Sequence, residues 1–597
     1  MVRARRAREM PPLIPPTEGD RLFANGRIWL AYLIVFVGST CTMVIELVAG
    51  RIMAPYIGVS LYTWTSIIGI VLAGISLGNY LGGVVADRRA SREVLGLVFL
   101  GGGLASLAIL VTTQLIMSAT IALPLIPKIV LYTTAIFFLP ALILGMVSPI
   151  VIKLALADLA HSGGIVGSIY AVSTVGSIFG TFITGFYLIS WLGTRAIIWI
   201  VGIVLVAMGV AVGGFLFPKG RRAALLGTLI ACGAALWLNS SQTLPWLSAD
   251  LANVLPTYTG YVVVAVAALV VAGATLLGGR VTTPALVLTV VAGSAVYLGW
   301  GIGYYRAPCE VESNYFCIRI SEQTTGGDTV RALVLDHLVH SYTLLNDAKA
   351  LGYGYERVYA EVTSYYLAKS GLGQGGQLDT LFIGGGGYTF PRYVEASYPN
   401  STIDVMEIDP AVTEMARQKL NLGDDTRIQS HNQDARTFLL GWKDPKEFDI
   451  IYGDAFNDLS VPYHLTTVEF DRMLEARMKP GGMYMVNVID RYEGGEFMRA
   501  FANALHEVFP HVYMLSQADT FGTPHANTYI LLASDEPFDY QAFVQANAAL
   551  GNEGVITRML PESDMEAYMK GGRAIVLTDD FVPVDQLVAP LFVERGF

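Results

Sequence analysis

Nine stretches of mostly apolar residues follow one another between positions 28 and 305, and they limit the fold more than anything else in the chain. A bilayer core is crossed by about 20 such residues in a helix. By that measure the spans lie near 28–48, 62–86, 94–118, 129–152, 165–190, 196–217, 223–239, 260–278 and 284–304. Charge follows the same division. Residues 28–305 carry 11 Lys+Arg and 5 Asp+Glu, a net of +6, whereas residues 306–597 carry 22 and 41, a net of −19. The Arg-rich tail 1–27 adds +3, so the modest total of −10 hides two opposed halves. Such a chain is not disordered, not a disulfide-stapled miniprotein and not a basic nucleic-acid binder. Its first partner is a lipid bilayer.

Four parts are therefore expected: a basic cytoplasmic tail (1–27), a transmembrane domain of about nine helices (28–305), a small β-rich part (306–375) and a Rossmann-like catalytic part (376–597). Glycines inside the spans, such as Gly101, Gly102, Gly103, Gly176, Gly180 and Gly185, read as close helix packing. Loop charges orient the bundle. With the tail inside, the inner loops hold Arg88, Arg89, Arg92, Lys153, Lys219, Arg221, Arg222 and Arg280, and the outer loops only Arg51, Lys128 and Arg195. The tail, broken by Pro11, Pro12, Pro15 and Pro16, does not read as a cleavable signal peptide. The amino terminus is expected in the cytoplasm, and nine spans put the acidic half outside. Glu46 is the clearest ionisable group within a span. It reads either as a functional carboxylate, with Asn79 as partner, or as the acid of a helix-end pair with Arg51.

From about residue 306 the pattern becomes short β-rich runs and then alternating strands and helices, the mark of a doubly wound parallel sheet. Such sheets bind ligands beyond the carboxyl ends of their strands. Strand 379–383 runs into Gly384, Gly385, Gly386 and Gly387, where a backbone without side chains can approach a nucleoside. Glu407 ends strand 403–407, at the spacing of a carboxylate that takes both ribose hydroxyls. Asp434 follows strand 427–430, within reach of an adenine edge, and Asp454 follows strand 448–453 on the same rim. Four sites at four consecutive strand ends point to a nucleoside pocket. Cys309 and Cys317 read either as a disulfide or as two thiols. No histidine has metal-ligand spacing, and no metal is expected.

These residues resemble the spermidine synthase family, aminopropyltransferases on the methyltransferase fold. The resemblance over 310–535 rests on Glu312-Ser313-Asn314-Tyr315, the strand Leu335–His340, Ile383 with its glycines, Glu407-Ile408-Asp409 and Asp454. Glu46…Arg51…Ala54-Pro55-Tyr56, Gly82-Gly83…Asp87-Arg88 and Tyr170-Ala171…Gly176 resemble bacterial membrane-fused spermidine synthases. The resemblance implies a polytopic helical bundle followed by an α/β methyltransferase-like domain in a bacterial cell membrane. It implies transfer of an aminopropyl group from decarboxylated S-adenosylmethionine to an amine or polyamine. Glu407 would hold the ribose, Asp434 the adenine and Gly384–Gly386 the nucleoside, and Asp454 would orient or deprotonate the amine.

Three positions depart from the family pattern. Gly387 stands where an aspartate reads the donor's amino end, Asn457 where a second acid follows the catalytic one (Asp458 is one step on), and His340 where a glutamine is usual. S-adenosylmethionine as donor, with methyl transfer to an amine or membrane-associated acceptor, is thus the alternative reaction. A polyamine transporter or sensor with a non-catalytic nucleoside domain is the third reading. Tyr355, His340, Asp458 and His464 are the substrate-side candidates; His464 reads as a second proton carrier or as a loop anchor. Assembly into a homo-oligomer stays open.

Overall fold

The computed structural model describes residues 28–58, 60–117, 123–156, 162–213, 308–325, 328–373, 375–455, 461–517, 520–523, 525–550 and 554–594. The chain forms two compact units, one of apolar helices and one containing residues 308–597. In the first, the helices are α1 (Ile28–Ile57), α2 (Leu61–Arg89), α3 (Arg92–Met117), α4 (Leu125–Gly145), α5 (Val147–Ala155), α6 (Ser162–Ile183) and α7 (Ile189–Val212). Five runs among the described residues are long and apolar enough to cross a bilayer. The expected spans 223–239, 260–278 and 284–304 lie outside the described residues. Two others, 165–190 and 196–217, fall in one 50-residue helical run, Gly163–Val212. That run contains a π-helical turn, Thr184–Leu188, and a non-helical break at Gly193 (φ 72°, ψ 160°).

Glycine contacts give the directions of these helices. A Cβ at Gly176 would meet the Phe36 backbone and one at Gly180 the Thr40 backbone, so α1 and α6 run the same way. Gly74 faces Ala141 and Gly82 faces Met146, so α2 and α4 also run parallel. In contrast, Gly96 faces Gly213 and Gly103 faces Val206, so α3 and α7 are antiparallel. These directions fit an alternating up-and-down order only if the chain reverses near the start of α7, where Gly193 with its positive φ breaks the helix. Polar side chains reinforce the seams: Ser39 and Ser173 are 2.6 Å apart, and Thr40 donates to the Gly176 carbonyl at 2.9 Å.

The second unit opens with an antiparallel sheet of β1 (Val311–Glu312), β2 (Cys317–Thr325), β3 (Asp328–Leu335) and β4 (Leu338–Leu344) in that order. Cys309 and Cys317 are joined by a disulfide, which decides between the two readings of this pair. Helix α8 (Gly354–Lys369) then leads to an eight-stranded sheet. Its strands are β5 (Asp379–Ile383), β6 (Thr402–Met406), β7 (Ile428–His431), β8 (Phe448–Gly453), β9 (Met478–Arg491), β10 (His511–Gln517), β11 (Ala526–Ser534) and β12 (Thr557–Met559). The intervening helices are α9 (Thr389–Ser397), α10 (Pro410–Lys419), α11 (Ala435–Gly441), α12 (Val468–Glu475) and α13 (Phe497–His506).

The strand order is β12-β10-β11-β9-β8-β5-β6-β7. Strands β7, β6, β5, β8 and β9 are parallel, as a doubly wound sheet requires. The expectation of a wholly parallel sheet is corrected beyond β9, because β11, β10 and β12 pair antiparallel. β10 and β11 are joined by only a short connection, which suits a hairpin, while a parallel crossover takes a dozen residues or more. The parallel strands are buried on both faces: every residue of β5 and β8 is buried. An aromatic stack of Phe382 and Tyr452 (4.5 Å between centroids), with Tyr359 5.3 Å from Tyr452, fills the core beneath the site.

One core group is at odds with this packing. Asp471 in α12 is fully buried, and neither carboxylate oxygen has a hydrogen-bond partner. Burial, and then the charge of Glu469, hold its carboxyl well above the usual range. A carboxyl raised in the folded state costs stability as pH climbs above its unfolded value of about 4, by at most about 1.4 kcal/mol per pH unit. Asp471→Asn should therefore be the more stable form at pH 8, with an advantage that shrinks towards pH 4. Thermal unfolding of the detergent-purified chain across that range checks this; a pH-independent difference would contradict it.

Candidate active site

The carboxyl ends of β5, β6, β7 and β8 bring the four expected nucleoside-site segments to one rim. After β5 the backbone turns through Gly384 (φ +97°) and Gly386 (φ +48°), torsions that glycine adopts without strain. A side chain on Gly384 would also run into the backbone of Asp454 and Ala455. The loop is held by Glu407. Its Oε2 accepts the Gly385 N–H at 2.8 Å and the Gly386 N–H at 3.2 Å, and its Oε1 accepts the Asp409 N–H at 3.0 Å. Burial pushes the Glu407 carboxyl up, against the pull of these three N–H groups. A carboxylate has about four acceptor positions, so with three taken by backbone N–H groups one is left for a hydroxyl.

Asp409, with Pro410 at the first helical position, caps α10 by accepting the Ala411 N–H at 2.9 Å. Its other oxygen accepts the Ser313 hydroxyl, which ties the β1–β2 turn to the rim. Asp434 caps α11 through Thr437 N–H (2.9 Å) and pairs with His464 Nε2 at 2.7 Å. Burial would raise the Asp434 carboxyl, but the Thr437 N–H and His464 bring it below its ordinary value. His464 therefore stands at the Asp434 side of the rim, a position that suits the loop-anchor reading of the two. Arg436 fixes the same loop, donating to the His464 carbonyl at 3.1 Å and gripping Asp579, which is thereby engaged in an ion pair.

Asp454, half-buried, continues from β8 with its N–H on the Ile383 carbonyl at 2.8 Å. Tyr355 in α8 donates its hydroxyl to Asp454 Oδ2 at 2.8 Å, and Asn487 in β9 donates its amide to Oδ1 at 2.9 Å. Burial raises the Asp454 carboxyl, and the Asn487 and Tyr355 donors oppose that rise. Asn487 did not emerge from the sequence reading. Its signal is a lone amide in the otherwise apolar run Met483–Ile489 of the strand beside β8. Its amide oxygen is buried without a partner and adds an acceptor next to the carboxylate. Tyr355 is flanked by Tyr353, and Tyr353 by Tyr342, with centroids 5.6 and 5.0 Å apart. Rings of this kind favour a cationic amine.

Gly387 is glycine for a steric reason. A Cβ there would overlap the Ser341 hydroxyl of β4, and β4 is fastened over the loop by Thr343 and Thr389, 3.1 Å apart. The Ser341 oxygen is itself buried without a partner. His340, half-buried, precedes it in β4. Asp458 and Asn457 lie outside the described residues. Glu46 is half-buried in α1, in the other unit; Asn79 is exposed on α2 and forms no hydrogen bond with it.

A glycine loop, the buried carboxylate of Glu407 and the rim carboxylates of Asp434 and Asp454 thus gather at the carboxyl ends of neighbouring parallel strands. No family model matches the chain. Curated relatives are of two kinds, both transferases. A "Probable polyamine aminopropyl transferase" of Bifidobacterium longum (strain NCC 2705) is 26% identical over 220 residues, covering 35% of this chain and 48% of that protein. The "Polyamine aminopropyltransferase" of Vibrio vulnificus (strain CMCP6) is 28% identical over 218 residues, covering 35% of this chain and 69% of that protein. The "eEF1A lysine and N-terminal methyltransferase homolog" of Drosophila melanogaster is 27% identical over 266 residues, covering 40% and 37%. The match thus spans about half the length of the first of these relatives. Among solved structures, a probable spermidine synthase from Corynebacterium glutamicum ATCC 13032 is similar at 23% identity and a TM-score of 0.40, covering 45% of this chain and 95% of that one.

The Gly387–Ser341 contact generates a test of the site's geometry. Gly387→Ala should destabilise the chain by about 1–3 kcal/mol, the usual cost of overpacking. Adding Ser341→Gly should recover most of that loss. Unfolding midpoints of the single and double variants check it, and additive losses would refute the contact.

Proposed function

We propose that this chain is a membrane-bound transferase that moves an aminopropyl group from decarboxylated S-adenosylmethionine to an amine. The observation that carries the reading is the setting of Asp454: on the rim beside the glycine loop, with Tyr355 and Asn487 each holding one oxygen and tyrosine rings alongside. The amine nitrogen attacks the propyl carbon bonded to sulfur. The N–C bond forms, the C–S bond breaks, and its electron pair neutralises the sulfonium, leaving methylthioadenosine. Asp454 takes the proton from nitrogen. Its raised carboxyl makes it a better match for that proton than an exposed aspartate. The nucleoside would lie across Gly384–Gly386, its ribose on Glu407 and its adenine towards Asp434. Relatives named as polyamine aminopropyltransferases support this reading.

Methyl transfer from S-adenosylmethionine is the second reading, and one observation favours it. The slot that would hold an amine-reading aspartate is filled at Gly387 by Ser341, leaving a neutral hydroxyl there. Product analysis separates the two: methylthioadenosine marks aminopropyl transfer and S-adenosylhomocysteine marks methyl transfer. In either case Asp454→Asn should lower kcat by about 10²-fold or more. Tyr355→Phe removes a donor to the charged carboxylate. It should therefore move the acid limb of the kcat/KM profile to higher pH, by about one unit. Nucleoside binding without either product would sink both enzyme readings in favour of a binding domain, and turnover unaffected by Asp454→Asn would remove Asp454 as the base.

The unit bearing this site is proposed to lie on the outer face of a bacterial cell membrane, with the amino terminus inside. Support comes from the odd number of expected spans and from the Cys309–Cys317 disulfide, a bond typical of oxidising compartments. The basic last turns of α2 and α5 support the orientation too: Arg88 and Arg89 share a helix end with Asp87, which pairs with Lys153 at 2.8 Å. Protease added to intact cells should then digest residues 308–597, whereas protection in intact cells and cleavage only after lysis would assign them to the cytoplasm.

A further inference from the structure

The pair of Arg436 with Asp579 joins two distant parts of the chain at the Asp434 side of the rim, and the proposed function leaves it without a part. Asp579 lies in a tight turn, in which Thr578 and Phe581 exchange backbone hydrogen bonds at 3.1 and 3.0 Å. The turn is pinned to the start of α12. Val468 donates its N–H to the Leu577 carbonyl at 3.0 Å, and Glu469 accepts the Asp579 N–H at 3.0 Å. The Asp579 carboxylate receives three donors. The Thr467 hydroxyl reaches Oδ1 at 2.8 Å, Arg436 Nη1 reaches the same oxygen at 2.7 Å, and Arg436 Nη2 holds Oδ2. A fork of two parallel bonds fixes a guanidinium in direction as well as in place.

Arg436 and Asp434 converge on one residue. Arg436 Nη1 donates to the His464 carbonyl at 3.1 Å, while the His464 ring bonds through Nε2 to Asp434 Oδ2 at 2.7 Å. The hydrogen bonds to Asp579 hold the guanidinium above its ordinary range against burial, and the charges of Glu469 and Asp434 act in the same sense. Arg436 therefore stands within the field of Asp434. Their side chains are only 19% and 25% exposed, so water screens that field in part. The Asp434 carboxylate has about four acceptor positions; Thr437 and His464 occupy some, and at least one remains for a ligand. A guanidinium with five donors competes for that position with any neutral N–H group, unless another carboxylate engages it.

We infer that Asp579 is a positioning residue for base recognition, the counter-ion that keeps the Arg436 guanidinium off Asp434 and so leaves that carboxylate to the amino group of an adenine. The inference rests on the nucleoside site of the proposed function. An exocyclic N–H donor is drawn to a carboxylate, whereas a carbonyl oxygen at the same edge of the base sets lone pair against lone pair. With the Asp579 charge removed, Glu469 and Asp434 are the acids left in the field of Arg436. A guanidinium turned onto Asp434 neutralises it and presents N–H donors at the base edge, which favours the oxygen over the amino group. The bonds from Thr437 and His464 to Asp434 do not depend on that charge. The carboxylate stays in place, and what changes is the base it can read.

Calorimetric titration of the full chain in detergent with methylthioadenosine and methylthioinosine, which carry an amino group and a carbonyl oxygen at that edge, tests this. The unaltered chain should prefer methylthioadenosine by about tenfold or more, the effect of one hydrogen bond to a charged group. Asp579 is 42% exposed, and Asp579→Asn keeps its size and an acceptor for Thr467, so the fold tolerates the change. This variant should lower the preference by about threefold or more. Adding Arg436→Gln, which removes the guanidinium, should restore it, whereas the loss of a merely structural contact would deepen. A preference unchanged by Asp579→Asn, or a loss that Arg436→Gln does not restore, overturns the counter-ion role while leaving the nucleoside site intact. Equal affinity of the unaltered chain for the two nucleosides overturns Asp434 as the base reader, and the role of Asp579 with it. Binding of neither nucleoside overturns the nucleoside reading itself.

Discussion

The carboxylate of Glu407 is the tie on which the candidate site of the second unit depends. It sits at the end of β6, yet its bonds go to the glycine loop of β5 and to Asp409 at the start of α10. One buried side chain thus fixes the loop that must approach a ligand, the helix cap beside it and, through Asp409, the turn that carries Ser313 and Tyr315. The loop can be so held only because Gly384 and Gly386 take left-handed torsions and because Gly384 leaves room for Asp454. Charge buried at this cost persists where it is fully hydrogen-bonded. Glu407 meets that condition through three backbone N–H groups, which leaves one acceptor position.

The opposite side of the rim is built on a different principle. Asp454 is held by two neutral donors, Tyr355 and Asn487, rather than by a cation. A nearby lysine or arginine would stabilise the ionised form and make it a poor base. Neutral donors orient the carboxylate and leave burial as the main influence on its proton affinity. The same surroundings favour an amine over an anion as the group that comes to rest there. Two rims of one pocket therefore meet two needs: tight fixation where a nucleoside would be recognised, and a tunable carboxylate where a proton would be moved.

Much of this was legible in the sequence, for a definite reason. Buried parallel strands are continuous apolar runs ending in small or acidic residues, and the expected strand 379–383 coincides with β5, as strand 448–453 does with β8. Glu407, Asp434 and Asp454 could be read because strand ends fix where the next residue lies. Tertiary partners could not be read in the same way. The amide of Asn487 matters only because β9 lies beside β8, and His464 turned to Asp434 because Arg436 and Asp579 hold its loop. Helix α8 escaped the pattern of apolar spacing because many of its buried positions are not plain hydrophobes, Glu356, Thr363 and four tyrosines among them, and with it the pairing of Tyr355 to Asp454 stayed hidden. Gly387 read as a missing acid, while the structure gives the cause: Ser341 occupies its side-chain space.

The two halves are held together by different means. Residues 306–597 carry a net charge of −19, which favours cations near their surface; within their unit, buried carboxylates are satisfied by backbone N–H groups and neutral side chains. The helical unit has few charges to satisfy, and its seams rest on close approach instead: α1 and α6 meet through glycines and hydroxyl pairs, and a π-helical turn interrupts the run just beyond Gly180. Small residues let backbones come together where large side chains would hold them apart, so a Cβ added at Gly176 or Gly180 would meet the backbone of α1 directly.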